Sequence, residues 1–315
     1  MESNKKNIAF KIPDNPQMGL GHFIRCFKIA KKIQNKYRIF FITSLEQKLN
    51  LKYFKKFPFK FILIDKKKNF IQEFKEINKS KKINTLFIDD YSFHFLKQKK
   101  ISNLVSKLII LDDSLKRKIY CDYYINYKFD SKKLISSNLK NNNSSIKKKC
   151  LLGEEFWIPS FGLSRHFKNK RKYISISFGN SFNFKKIEKF LKKLLVKNNK
   201  FHFQIFIGLN CTNYQYLTNL SKKFKNIKIV MKQFIIDKYL NKTFLFIGSS
   251  GNSIYEMSYL NIPSLFFSIS NNQLNDLESL EKMGHFFHSS INDINEKNLS
   301  DFINAVIKNY SRFIR

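Results

Sequence analysis

Glycine, proline and arginine are all scarce here, at 9, 5 and 7 residues in 315, and acidic residues number only 23 against 59 basic ones. With abundant Lys, Asn, Ile and Phe, that scarcity is the imprint of an AT-rich genome. A net charge of +36 invites a nucleic-acid reading. Too few of the 59 basic residues are arginine for it, because arginine is the side chain suited to bidentate phosphate and base contacts. The lysines are scattered in twos and threes over every predicted helix, so solvated faces are expected and no specific nucleic-acid partner. The four cysteines (Cys26, Cys121, Cys150, Cys211) lie far apart without a C-x-x-C pair. That argues against a zinc knuckle or a disulfide frame and suits a reducing cytoplasm. No run approaches the ~18 apolar residues of a membrane span. Met1 to Lys6 leads into a short strand, not a signal-peptide core. A cytoplasmic protein without a transmembrane segment is expected, and a monomer.

The apolar fraction of 43%, with 35 Phe, is ample for packed cores. At 315 residues two domains are expected. Apolar, β-branched or aromatic runs recur at Ile8–Ile12, Tyr37–Thr43, Phe61–Ile64, Thr85–Ile88 and Lys107–Leu111, with Lys-rich polar segments between them. Strands alternating with helices predict a parallel, doubly wound sheet. Lys132 to Lys149 is charged and aperiodic and is predicted as a surface loop, and Arg165 to Lys172 as the interdomain linker. The rhythm restarts at Tyr173–Phe178, Phe203–Ile207, Ile227–Val230, Phe244–Ile247 and Ile262–Phe267, and the amphipathic run Leu299–Ile314 ends the chain. The fold class is therefore α/β with two Rossmann-like domains, 1–164 and 165–298. A C-terminal helix, 299–315, is expected to pack back on the first domain.

Two turns carry candidate chemistry. In Gly19-Leu20-Gly21-His22-Phe23-Ile24-Arg25-Cys26 the glycines are predicted to turn from strand to helix, with His22 and Arg25 in the first helical turn. Helix starts favour anions and keep a histidine neutral, as a general base must be. The plainer reading is a βα turn with a surface histidine. In the second half, Gly248-Ser249-Ser250-Gly251-Asn252-Ser253 follows a strand and opens a helix, a cradle for a diphosphate. It is neither a Walker loop nor the G-x-G-x-x-G fingerprint. Glu256 could accept from a ribose, and Asn272 and Gln273 could serve sugar hydroxyls or acetamido groups or simply cap a helix. Two strands end in paired acids, Asp89-Asp90 before Tyr91 and Asp112-Asp113. Neighbours on a strand point to opposite faces, so capping is favoured over metal, and one acid of each pair can face a ligand. No metal or cofactor is expected. No G-x-S-x-G elbow and no short repeat is present.

In order and spacing these stretches resemble the UDP-2,4-diacetamido-2,4,6-trideoxy-β-L-altropyranose hydrolases of pseudaminic acid biosynthesis, relatives of the GT-B glycosyltransferases such as the one making lipid II. The family's Gly-x-Gly-His-x-x-Arg-Cys is similar to Gly19 to Cys26. Its strand-end Asp and Tyr are similar to Asp89-Asp90-Tyr91, and its Ser-Phe-Gly to Ser177-Phe178-Gly179. Its late glycine turn, helix Glu and Asn-Gln resemble Gly248 to Gly251, Glu256 and Asn272-Gln273. The resemblance implies a GT-B-like pair of domains facing a cleft and a UDP-sugar substrate. It also implies metal-independent hydrolysis with His22 as base, and substrate contacts at Gly19, Gly21, Arg25, Asp90, Tyr91, Gly179, Gly248 to Ser253, Glu256, Asn272 and Gln273. Departures occur at Asn180-Ser181-Phe182, His94 and Pro159-Ser160, and bear on the sugar more than on UDP. A GT-B transferase, a non-catalytic UDP-sugar binder and a basic nucleic-acid-binding protein are the competing readings.

Overall fold

The computed structural model describes residues 5–15, 19–50, 59–113, 117–129, 131–132, 144–160, 162–164, 171–231, 233, 236–269, 286–290 and 296–310. Two compact units divide the chain, Met1–Ile158 and Pro159–Arg315.

The first unit holds β1 (Asn7–Lys11), α1 (Gly19–Ile33), β2 (Arg38–Ser44), α2 (Leu45–Asn50), β3 (Lys60–Ile64) and α3 (Phe70–Lys81). β4 (Ile83–Ile88), α4 (Phe95–Ser102), β5 (Lys107–Leu111), β6 (Tyr120–Asn126) and β7 (Ser145–Leu152) follow. All seven strands are parallel, in the order β3-β2-β1-β4-β5-β6-β7. That order doubles back between β1 and β4, the switch point where open α/β sheets bind ligands. β1 is central, and Phe10 stacks between Phe41 at 5.3 Å and Phe87 at 4.6 Å. Helix α1 covers that face. Phe23, Cys26 and Ala30, at i, i+3 and i+7, are buried, and the small Cys and Ala let the helix lie close. Burial of Phe23 alone contributes about 2 kcal/mol. The opposite face carries a separate core of Ala9, Ile42, Phe74, Ile88 and Ile101, under α3 and α4.

β6 and β7 are additions to the sequence reading. The expected loop 132–149 is, from Ser145, an edge strand bearing Lys147, Lys148 and Lys149. Its period-2 pattern is hidden because an edge strand is half solvated, and lysines there block pairing with another chain.

The second unit repeats the plan. β8 (Tyr173–Ser177), β9 (His202–Ile207), β10 (Ile227–Met231), β11 (Thr243–Ser249), β12 (Ser264–Ser268) and β13 (Phe286–Ser290) form a parallel sheet, β10-β9-β8-β11-β12-β13. Its switch point lies between β8 and β11. Helix Glu296–Lys308 buries Leu299, Ile303 and Val306 in this unit's own core with Leu191, Leu194 and Leu195. Its apolar face is thereby used within the second unit's core. The two units part at Ile158/Pro159, where the sequence reading placed the boundary after 164.

Candidate functional site

At the first switch point, α1 begins at Gly19, so Gly19 and Gly21 sit inside the helix instead of forming the turn before it. His22 is its fourth residue and Arg25 lies one turn further on. Both face the end of β4, where the paired acids separate as strand geometry demands. Asp89 is fully buried on the α1 side and Asp90 is directed at Lys11.

His22 Nδ1 is 2.6 Å from Asp89 Oδ1, and the His22 side chain is 12% exposed. A carboxylate only accepts, so the Nδ1 proton is assigned to this bond, and in the neutral form of the imidazole the lone pair is on Nε2. That is the arrangement of a histidine poised to take a proton, oriented by a buried acid. Arg25 grips the same carboxylate with Nε and Nη2, and its Nη1 donates to Asp113 Oδ2 at 3.1 Å and to Tyr127 Oη at 3.3 Å. Burial alone would raise the pKa of Asp89, but the Arg25 and His22 charges outweigh it and hold the acid at about 2. Burial also disfavours the Arg25 cation, yet Asp89 and Asp113 push its pKa higher still. Burial pushes the Tyr127 hydroxyl up to about 12, so it stays protonated at neutral pH. Arg25, expected to touch substrate, is thus engaged by protein carboxylates.

Asp90 belongs to the other face. It accepts from Lys11 Nζ at 3.0 Å and from the Ser92 amide at 2.9 Å, and Lys11 also reaches Asp14 at 2.8 Å. Burial raises the Asp90 pKa, but Lys11 and Ser92 hold it below the usual range. Lys11 and Asp14 line a cavity of about 380 Å³ there. Tyr91 returns to the histidine, its ring edge-on to the imidazole with centroids 4.9 Å apart.

At the second switch point, Gly248 is paired with Ser177, and a Cβ on it would lie 1.9 Å from the Ser177 carbonyl oxygen. Its role is close strand packing. β11 continues to Ser249, two residues into the predicted turn. Ser249 and Ser250 are buried, and the Ser250 amide donates to Phe267 O at 3.1 Å. What faces outward is Gly251, with Asn252 and Ser253 at the start of the helix Asn252–Leu260. Gly179, at φ +86°, stands at the end of β8 near Ser249 and needs glycine's freedom. Glu256 is half-buried in the same helix. Asn272 and Gln273 lie outside the described residues. Among those described, no group of three or more His, Cys, Asp or Glu side chains is arranged to hold a metal ion. No described helix is long and apolar enough to cross a membrane.

The sequence reading named the pairs Asp89-Asp90 and Asp112-Asp113 but carried only Asp90 into the site, and did not assign Asp89 and Asp113 to Arg25. The alternation of faces at β4 was the available signal, since one acid of the pair had to face α1.

No family model matches the chain. It is 26% identical over 266 residues to an uncharacterized protein of Methanocaldococcus jannaschii, MJ1062. That alignment takes in 79% of this chain and 53% of the relative, so the chain spans about half the length of the curated protein it matches. Among solved structures it is similar to the UDP-GlcNAc 2-epimerase from Neisseria meningitidis bound to UDP-GlcNAc, with TM-score 0.64, 12% identity, and 98% and 93% of the two chains covered. It is also similar to MurG of Acinetobacter baumannii, with TM-score 0.61, 11% identity, and 96% and 91% covered. The glycotransferase of kitacinnamycin gives TM-score 0.61, 9% identity, and 94% and 89% covered. These likenesses establish the fold class: two Rossmann-like units of the GT-B glycosyltransferase-like type.

Proposed function

We propose that the chain is a UDP-sugar-acting enzyme that hydrolyses UDP-2,4-diacetamido-2,4,6-trideoxy-β-L-altropyranose or a close UDP-diacetamido sugar. The free sugar would serve pseudaminic acid biosynthesis. The observation that carries the reading is the His22–Asp89 pair, 2.6 Å apart through Nδ1; the neutral imidazole so held has Nε2 to accept a proton. A GT-B-like fold whose solved likenesses include a protein bound to UDP-GlcNAc supports the nucleotide-sugar half. In the reaction, a water oxygen bonds to the anomeric carbon as its proton passes to His22 Nε2. The bond from that carbon to the β-phosphate oxygen breaks, and UDP departs with the electron pair. Asp89 holds the imidazole through Nδ1 and balances the imidazolium that forms. In the second unit, the amides and the dipole of the helix beginning at Asn252 suit the diphosphate, and Glu256 suits the ribose.

A transferase using the same base is the second reading, favoured by the likeness to the kitacinnamycin glycotransferase. It differs only in that an acceptor hydroxyl replaces water. Phosphorus NMR of the full chain with the UDP-sugar, in EDTA, separates the two. UDP and free sugar appearing without acceptor, and lost in His22→Ala, supports the hydrolase. Release only after a sugar or lipid acceptor is added assigns a transferase, and no release under either condition overturns both.

A further inference from the structure

Arginine is rare in a chain that supplies most of its positive charge as lysine, and each remaining guanidinium for which partners are described uses the planar fork that lysine lacks. Arg25 clamps Asp89 through two nitrogens. Arg171 donates to the carbonyls of Leu260 and Asn261 at 2.6 and 3.3 Å. Arg117 does something different. Its Nε and Nη2 both lie 3.1 Å from Oδ2 of the fully buried Asp112. Its Nη1 donates to the Tyr91 carbonyl at 2.7 Å, and its guanidinium lies over the Tyr91 ring at 5.0 Å. Arg117 therefore fixes Tyr91 twice, by backbone and by ring. Tyr91 in turn stands edge-on to His22.

We propose that Arg117 is a positioning residue for His22, acting through Tyr91. This rests on the reading of His22 as the general base. Asp89 pins one nitrogen of the imidazole, and a ring held at one point still swings about it. The Tyr91 ring stops that swing, and Arg117, anchored on Asp112, keeps Tyr91 in place. Lysine can reach Asp112 or the Tyr91 carbonyl, but it cannot meet both in a planar fork while stacking on the ring. A group that aligns a base acts when the proton moves, so its loss lowers kcat and leaves KM nearly unchanged.

The test compares wild type with Arg117→Lys, Arg117→Ala and, as a control, Arg171→Lys, whose guanidinium bonds to carbonyls at a helix end in the second unit. Two quantities are read: the imidazole nitrogen NMR signals of His22, and kcat and KM for UDP release. In Arg117→Lys the single Nδ1–H tautomer of His22 gives way to exchange between tautomers. Its kcat falls roughly ten-fold while KM stays within about two-fold. Arg117→Ala falls further, and Arg171→Lys leaves the His22 signals as in wild type. A His22 spectrum unchanged in Arg117→Lys and in a folded Arg117→Ala overturns the proposal, whatever the rates do. The nitrogen spectrum needs no substrate, so failure of the UDP-sugar reading would show separately, as absent turnover in the wild type.

Discussion

The two units share the order of six strands, which β7 extends in the first, and have one switch point each, with opposite chemistry there. At the first, the ends of β4 and β5 and the start of α1 bring together four charged or titratable side chains: His22, Arg25, Asp89 and Asp113. At the second, glycine, serine and asparagine leave backbone groups and a helix start facing outward, and its first turn carries no acid. On the proposed reading, the same topology serves proton movement in one unit and anion holding in the other. What decides is which side chains follow the strand ends. A fold-level likeness cannot reveal this division, and the side chains can.

The comparison is broken most severely by His22→Ala. It should lower kcat for UDP release by roughly 10³-fold without changing UDP affinity, if the second unit holds the nucleotide by itself. Phosphorus NMR and UDP titration check the two halves of that statement. Asp89→Asn comes next. It leaves the Arg25 guanidinium buried without its carboxylate and should cost about 3 kcal/mol in urea denaturation. Gly248→Ala should destabilise the second unit by about 2 kcal/mol, since its Cβ would meet a strand carbonyl. In contrast, nothing lies within 4 Å of a Cβ on Gly251, so Gly251→Ala should change stability by less than about 1 kcal/mol.

Acid stability sharpens the contrast further. The folded pKa of Asp89, about 2, lies below the ordinary 3.8. Its contribution is fully present above pH 4 and is lost as pH falls toward 2, about 2 kcal/mol in all. Denaturation midpoints between pH 5 and pH 2 should show this loss in wild type and lack it in Asp89→Asn.

Much of the architecture was legible because buried parallel strands read as continuous apolar runs, such as Lys107–Leu111 and Tyr173–Phe178. β7 was not, because its solvated edge carries three lysines in a row. The position of His22 was readable from the glycines ahead of it, although these proved to lie within α1. The roles around it were harder to read. Arg25 and Asp90, expected as ligand contacts, are also engaged by protein partners 64 and 79 residues away in sequence, Asp89 and Lys11. Long-range pairing of that kind leaves no periodic trace. Arg117 left only a compositional one, an arginine among lysines.

The separation of Asp89 from Asp90 carries a constraint on how this protein can change. Adjacent residues serve two different faces, so inserting or deleting one residue in β4 would turn each acid to the opposite face. A deletion would bring Asp90 to His22 and Tyr91 to Lys11, and an insertion would bring Asp89 to Lys11 and leave His22 without its carboxylate. Loops around the site can lengthen freely, but between Ile83 and Asp90 the chain can tolerate substitution far better than a change of length.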